Sequence, residues 1–162
     1  MRMRIGHGFD THALMPGRPL VLGGIVIPHD RGLEGHSDGD VLLHALMDAM
    51  LGAAGAGDIG QHFPPGDPRF AGADSRDLLR EVVRIVAARG FALENCDLTL
   101  VAEVPRIAAH RDAICESIAF ALGIDRARVN LKATTAEGLG ALGRSEGIAA
   151  QAIVLLREVD SA

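Results

Sequence analysis

Between residues 41 and 53 the apolar side chains fall at Val41, Leu42, Ala45, Leu46, Ala49, Met50 and Ala53. That spacing predicts a buried helix stripe. Ser37 stands at the expected N-cap, and Asp40, three residues on, gives a capping-box-like start. Gly52, Gly55, Gly57 and Gly60 are expected to end the helix and open a flexible loop around Asp58. Asp40, His44 and Asp48 share one side of this helix. Ionisable groups inside an apolar pattern are costly unless paired or metal-bound, so this segment is where chemistry is expected.

The remaining pattern supplies its frame. Residues 2–9 read as a strand, and 20–27 as a hairpin turning at Gly23-Gly24. Residues 28–35 read as a polar loop. Residues 61–75 hold three prolines and two glycines and read as a long loop. A second helix is expected over 74–89, with Leu78, Leu79, Val82, Val83 and Val86 inward and Gly90 as its stop. A strand over 97–104, a helix over 106–122 begun by Pro105 and ended by Gly123, and strands over 129–134 and 148–158 complete the chain. The order predicts one α+β domain over 1–162, a two-layer sandwich of one mixed sheet with helices on one face.

Composition narrows the function. The net charge of −5 leaves no electrostatic footprint for nucleic acid. With no Trp, no Tyr and five Phe, the chain has no aromatic platform for stacking bases. Lys132 is its only lysine. Cys96 and Cys115 form neither a CxxC pair nor a disulfide framework, which fits a reducing cytoplasm. No apolar run approaches the ~20 residues of a membrane span.

Three constellations can carry chemistry. Asp10 and His12, at i and i+2, share a strand face. With His44 they offer two imidazoles and a carboxylate, a set that suits Zn(II) and leaves a fourth position for substrate. The alternative is a polar strand end and a satisfied core histidine. Asp58 and Glu137 sit in Gly-rich segments and suit Mg(II), or serve as turn residues and caps. Residues 132–147 combine glycines, Thr134, Thr135 and Arg144 into an anion-binding set, or into an irregular turn. No Gly-Lys-Ser/Thr closes a Walker loop, and GxSxG and HExxH are absent.

The motifs Gly6-His-Gly-Phe-Asp-Thr-His12, His36-Ser-Asp-Gly-Asp40, Gly52-Ala-Ala-Gly-Ala-Gly-Asp-Ile-Gly60, Phe63-Pro64 to Asp67-Pro68, Gly72-Ala-Asp-Ser75 and Lys132-Ala-Thr-Thr-Ala-Glu137 run in order along nearly the whole chain. Together they resemble the 2-C-methyl-D-erythritol 2,4-cyclodiphosphate synthase family of the non-mevalonate isoprenoid pathway. The resemblance implies a homotrimer with active sites between subunits. It also implies conversion of 4-diphosphocytidyl-2-C-methyl-D-erythritol 2-phosphate to the cyclic diphosphate and CMP. Zn(II) is implied on Asp10, His12 and His44, with a second cation, Mg(II) or Mn(II), placed with help from Glu137. His36 and Thr135 are implied as transition-state stabilisers. Substrate contacts are implied for Asp10, His12, His36, Ser37, Asp58, Ile59, Gly60, Phe63 and Asp67. They are also implied, on the cytidine diphosphate side, for Ala102, Pro105, Arg106, Ala108, Lys132, Thr134, Thr135, Glu137 and Arg144.

Three positions depart from the family pattern. Pro65 stands where Asp is common, Arg106 replaces Lys, and Ala141 occupies a position often held by Phe. Arg106 keeps the charge but changes its geometry. The rival readings are a metal-dependent phosphohydrolase, which would release inorganic phosphate, and a catalytically silent binding trimer.

Overall fold

The structure, a computed structural model, describes residues 2–159; Met1 and residues 160–162 of the expected domain lie outside the described residues. The strands are β1 (Met3–Pro16), β2 (Leu20–Leu22), β3 (Ile25–Ile27), β4 (Arg31–Leu33), β5 (Phe91–Val101), β6 (Val129–Thr134) and β7 (Gly147–Glu158). The helices are α1 (Val41–Ala54), α2 (Ile59–His62), α3 (Ser75–Ala88), α4 (Arg111–Leu122) and α5 (Gly140–Gly143).

Five strands form one mixed sheet in the order β4-β1-β7-β5-β6. Only β5 and β6 run parallel, joined through α4; the other pairs are antiparallel. Side chains alternate across this sheet as the two-residue period requires. On β7, Ile148, Ala150, Ala152, Val154 and Leu156 are buried, while Ile153 points away and is 48% exposed. Helices α1, α3 and α4 pack on the buried face, which is the α+β architecture the sequence order predicts.

Helix α1 lies almost on the backbone of β1. A Cβ at Gly6 would stand 1.9 Å from the Ala49 carbonyl oxygen, and one at Gly8 would stand 1.8 Å from that of Ala45. Two glycines two residues apart thus let a helix carbonyl row touch a strand. Asp10 and His12 continue the same strand face beyond them, toward the N-terminal end of α1.

Several boundaries differ from those the sequence predicts. The N-cap of α1 is Asp40, not Ser37; its carboxylate accepts from the Leu43 amide and also from the Gly23 and Gly24 amides. The β2–β3 hairpin is pinned to the helix by that carboxylate, so Asp40 is a structural anchor and not part of a metal-binding face. The α1 helix runs through Gly52 and is closed by Gly55 in the left-handed region, and Gly60 lies within α2. Residues 31–33 pair with β1 as an edge strand where a loop is expected. Residues 61–75 are partly helical, through the end of α2 and a 3-10 turn at Pro68–Phe70. Strand β1 extends to Pro16 and so carries both Asp10 and His12, and β5 begins at Phe91. Helix α4 begins at Arg111, after a 3-10 turn at Ala108–His110, and not at 106.

Candidate metal centre and clefts

Asp10 and His12 leave β1 on its helix side, and His44 comes from the first turn of α1. Their atoms form a triangle. His12 Nε2 is 2.8 Å from Asp10 Oδ2 and 3.1 Å from His44 Nδ1, and His44 Nδ1 is 3.1 Å from Asp10 Oδ2. Three donors bonded tetrahedrally to zinc at about 2.0–2.1 Å would stand about 3.3 Å apart. The triangle is therefore close to one face of such a tetrahedron, and two imidazoles with one carboxylate are a donor set that zinc takes. Among the described residues this is the one group of three that could hold a metal ion. Asp48, on the same helix side, is used instead as an acceptor for the Ile59 amide at 2.8 Å.

Burial works to raise the Asp10 carboxyl, but hydrogen bonds and charge from His12 and His44 outweigh it and hold it at about 2. Burial likewise works to lower the His12 imidazole, and its bond to Asp10 prevails and raises it. Asp10 is thus a carboxylate at neutral pH, the state that ligates.

The triangle opens into a cleft of about 240 Å³ lined also by His36, Ser37, Ile59, Gly60, Phe63 and Pro65. Phe63 meets Phe70 edge-on with ring centroids 5.3 Å apart. One wall is therefore apolar and the floor carries the donors. His36 is exposed at the rim, its Nε2 2.9 Å from the Asp67 carbonyl oxygen. Asp58 caps α2 through the Gln61 amide at 3.0 Å, and Asp67 pairs with Arg69 at 2.6 Å. These two carboxylates shape the loop beside the cleft and do not line it.

A second cleft, of about 590 Å³, lies at the carboxyl ends of the parallel strands β5 and β6, the usual ligand position in parallel sheets. Ala102, Pro105, Arg106, Ala108, Lys132, Thr134 and Thr135 line it, with Glu103. Lys132 is ion-paired with Asp97. The Glu103 carboxylate accepts from the Ala136 and Gly138 amides at 2.9 and 3.3 Å. It fixes the loop that presents Thr135 and Glu137, whose side chains are hydrogen-bonded at 3.2 Å. Glu137 sits in the left-handed region at φ 53, a strained conformation for a residue with a Cβ.

Within one chain neither Glu137 nor Asp58 belongs to the donor triangle. Arg144 is exposed, bonded to Glu146 at 2.6 Å, and lines neither cleft. Sequence reasoning missed Glu103, Asp38 and Ser75. Glu103 follows a strand end by two residues, a position from which a carboxylate can reach a neighbouring loop. Asp38 and Ser75 belong to motifs already singled out, but their contact spans the loop between them.

A model of the YgbB family matches residues 3–157. The 2-C-methyl-D-erythritol 2,4-cyclodiphosphate synthase of Moorella thermoacetica is 62% identical over 154 residues, covering 95% of this chain and 94% of that protein. Among solved structures, the bifunctional IspDF of Campylobacter jejuni superposes with a TM-score of 0.95 at 44% identity; the match covers 98% of this chain but 43% of that one. A 2-C-methyl-D-erythritol-2,4-cyclodiphosphate synthase structure in its CDP-bound form superposes with a TM-score of 0.87 at 44% identity, covering 95% of this chain and all of that one.

Proposed function

The chain belongs to the YgbB family, alongside 2-C-methyl-D-erythritol 2,4-cyclodiphosphate synthases, and from that premise we propose that it cyclises 4-diphosphocytidyl-2-C-methyl-D-erythritol 2-phosphate to 2-C-methyl-D-erythritol 2,4-cyclodiphosphate with release of CMP. The observation that carries the reading is the Asp10–His12–His44 triangle at the floor of a half-apolar cleft.

The chemistry needs little from the protein beyond position and charge. An oxygen of the substrate's own 2-phosphate attacks the β-phosphorus, the bond from that phosphorus to the bridging oxygen breaks, and CMP carries the electron pair away. The nucleophile is intramolecular, so alignment supplies much of the rate. Asp10, His12 and His44 would hold Zn(II), which would supply Lewis-acid neutralisation of phosphate charge. Glu137 would help hold a second divalent cation, Mg(II) or Mn(II), which would supply further charge neutralisation. His36 and Thr135 donate to the charge that develops in the transition state. The apolar wall at Ile59 and Phe63 takes the methylerythritol carbons. The second cleft takes the cytidine diphosphate, with backbone groups near Ala102, Pro105 and Ala108 reading the base and Arg106, Lys132 and Thr134 near the phosphates. Pro65 forms part of the apolar wall and offers no carboxylate to the substrate hydroxyls.

The active enzyme is a homotrimer in this reading, with Glu137 and Arg144 completing the triangle of a neighbouring subunit. Two features support it. The triangle and the Glu137 loop are separate within one chain. The open face of the sheet also leaves Ile5 74% and Phe9 53% exposed beside Ile153, an apolar group that a neighbouring subunit could cover.

A phosphorus NMR time course with the diphosphocytidyl substrate, Zn(II) and Mg(II) tests the reaction. Cyclic diphosphate signals growing in step with CMP are expected; inorganic phosphate in their place would move the protein to hydrolysis. Co-assembly tests the trimer. His44→Ala and the double variant Thr135→Ala/Glu137→Ala should each be inactive alone. Mixed trimers should regain roughly a quarter of wild-type turnover by random assortment of two half-sites. Mixtures that stay inactive would place both halves of each site on one subunit.

A further inference from the structure

We infer that Asp38 and Ser75 are positioning residues that set the tautomer of His44 and so leave its Nδ1 as the nitrogen that binds a metal. The inference rests on the reading of His44 as a zinc ligand.

The Ser75 hydroxyl is fully buried and stands 2.5 Å from Asp38 Oδ1. A carboxylate only accepts, so the hydroxyl hydrogen belongs to that bond. The same Asp38 carboxylate accepts from the Ser75 amide at 2.9 Å and the Asp40 amide at 3.1 Å, which fixes its orientation. With its hydrogen committed, Ser75 Oγ has only lone pairs left for its remaining neighbour, His44 Nε2, at 3.1 Å. His44 must therefore carry a proton on Nε2, which leaves Nδ1 as the nitrogen turned to Asp10, at 3.1 Å, and to His12; any proton shared there with the carboxylate is the one a metal displaces.

Ser37 Oγ also lies 3.1 Å from His44 Nε2. Its own hydrogen is not committed by any other bond here, so it can accept or donate. Ser37 alone would tolerate either tautomer, and Ser75 removes the choice. The other imidazole is fixed differently: His12 Nδ1 donates to the Glu34 backbone carbonyl, so Nε2 is the nitrogen turned to Asp10, at 2.8 Å. The two rings thus use opposite nitrogens toward one point, and only the His44 arrangement depends on side chains that substitution can remove. Such outer partners typically govern metal affinity by about 10–100-fold.

A purely structural role is the competing account, since Asp38 also ties the segment before α1 to the start of α3. The test separates them. Long-range proton–nitrogen NMR of the zinc-free wild-type protein reads the tautomers directly. The inference expects Nε2–H on His44 and Nδ1–H on His12. Ser75→Ala keeps the amide bond to Asp38 but removes the hydroxyl. It should mix the His44 tautomers and weaken Zn(II), titrated against a fluorescent chelator, by about 10–100-fold. A wild-type His44 whose Nε2 carries no proton overturns the inference without any variant. So does a Ser75→Ala protein that keeps both the Nε2–H tautomer and wild-type zinc affinity. A wild-type protein that takes up no zinc overturns instead the metal reading on which the inference stands.

Discussion

Replacing His44 with alanine is expected to abolish zinc uptake and to lower turnover by at least roughly 10³-fold, the loss that several kcal/mol of transition-state stabilisation corresponds to. Removing one corner of the triangle leaves Asp10 and His12 alone, with the distances across the missing corner, 3.1 Å to each partner, replaced by open space. Two donors on one strand cannot enforce a tetrahedral site. The fold should hold, because His44 lies in the first turn of α1 while the helix is anchored by Asp40 and by the buried Leu42, Leu46 and Met50. The informative comparison is His36→Ala. That ring is exposed at the cleft rim and belongs to no donor group, so this variant should retain zinc while losing turnover. Metal content by atomic emission, circular dichroism and turnover on the same samples decide the matter. A zinc-free His44→Ala protein with full activity would end the ligand assignment.

How much of this was legible in the sequence can be judged residue by residue. The i, i+2 spacing of Asp10 and His12 needs only that residues near them be extended, and β1 runs through both. His44 follows from the helix period. Their convergence does not follow from either, because it depends on which strand the helix crosses and how closely. The resemblance to a family supplied that step, and the Gly6–Gly8 contact with α1 supplies its physical reason. Ser37 and Asp40 both suit an N-cap, so local spacing does not choose between them. The deciding factor was tertiary: the Gly23 and Gly24 amides also need the Asp40 carboxylate. Strand β4 was invisible because three residues of edge pairing carry no readable period. The Ser75–Asp38 bond joins residues 37 apart, and nothing in local spacing could announce it. Glu137 is legible as an acid in a glycine-rich turn, while its separation from the triangle within one chain is visible only in three dimensions.

Gly8→Ala is expected to lower stability by about 3 kcal/mol or more, the upper end of overpacking penalties, and to lower the melting temperature by about 6–12 °C for a chain of this size. The new Cβ would meet the Ala45 carbonyl oxygen at 1.8 Å and the Ala49 amide nitrogen at 2.8 Å. Both are backbone atoms of α1, so no side-chain rotation relieves the clash and the helix itself must move away from β1. His44 rides on that helix one residue before Ala45, and Asp10 lies two residues beyond Gly8 on the strand. Whatever shift accommodates the methyl group therefore widens the donor triangle, and zinc affinity should fall together with stability. Gly52→Ala is the control: a Cβ there meets nothing within 4 Å and the position lies inside the same helix. It should stabilise the protein by up to about 1 kcal/mol and leave zinc binding unchanged. If Gly8→Ala melted like wild type, or lost stability while holding zinc as tightly, the coupling of helix seating to the metal centre would be wrong. The strand face 6, 8, 10, 12 would then be two unrelated pairs. In the structure it is one device: two residues without side chains bring the helix down, and two with ligating side chains meet what the helix carries.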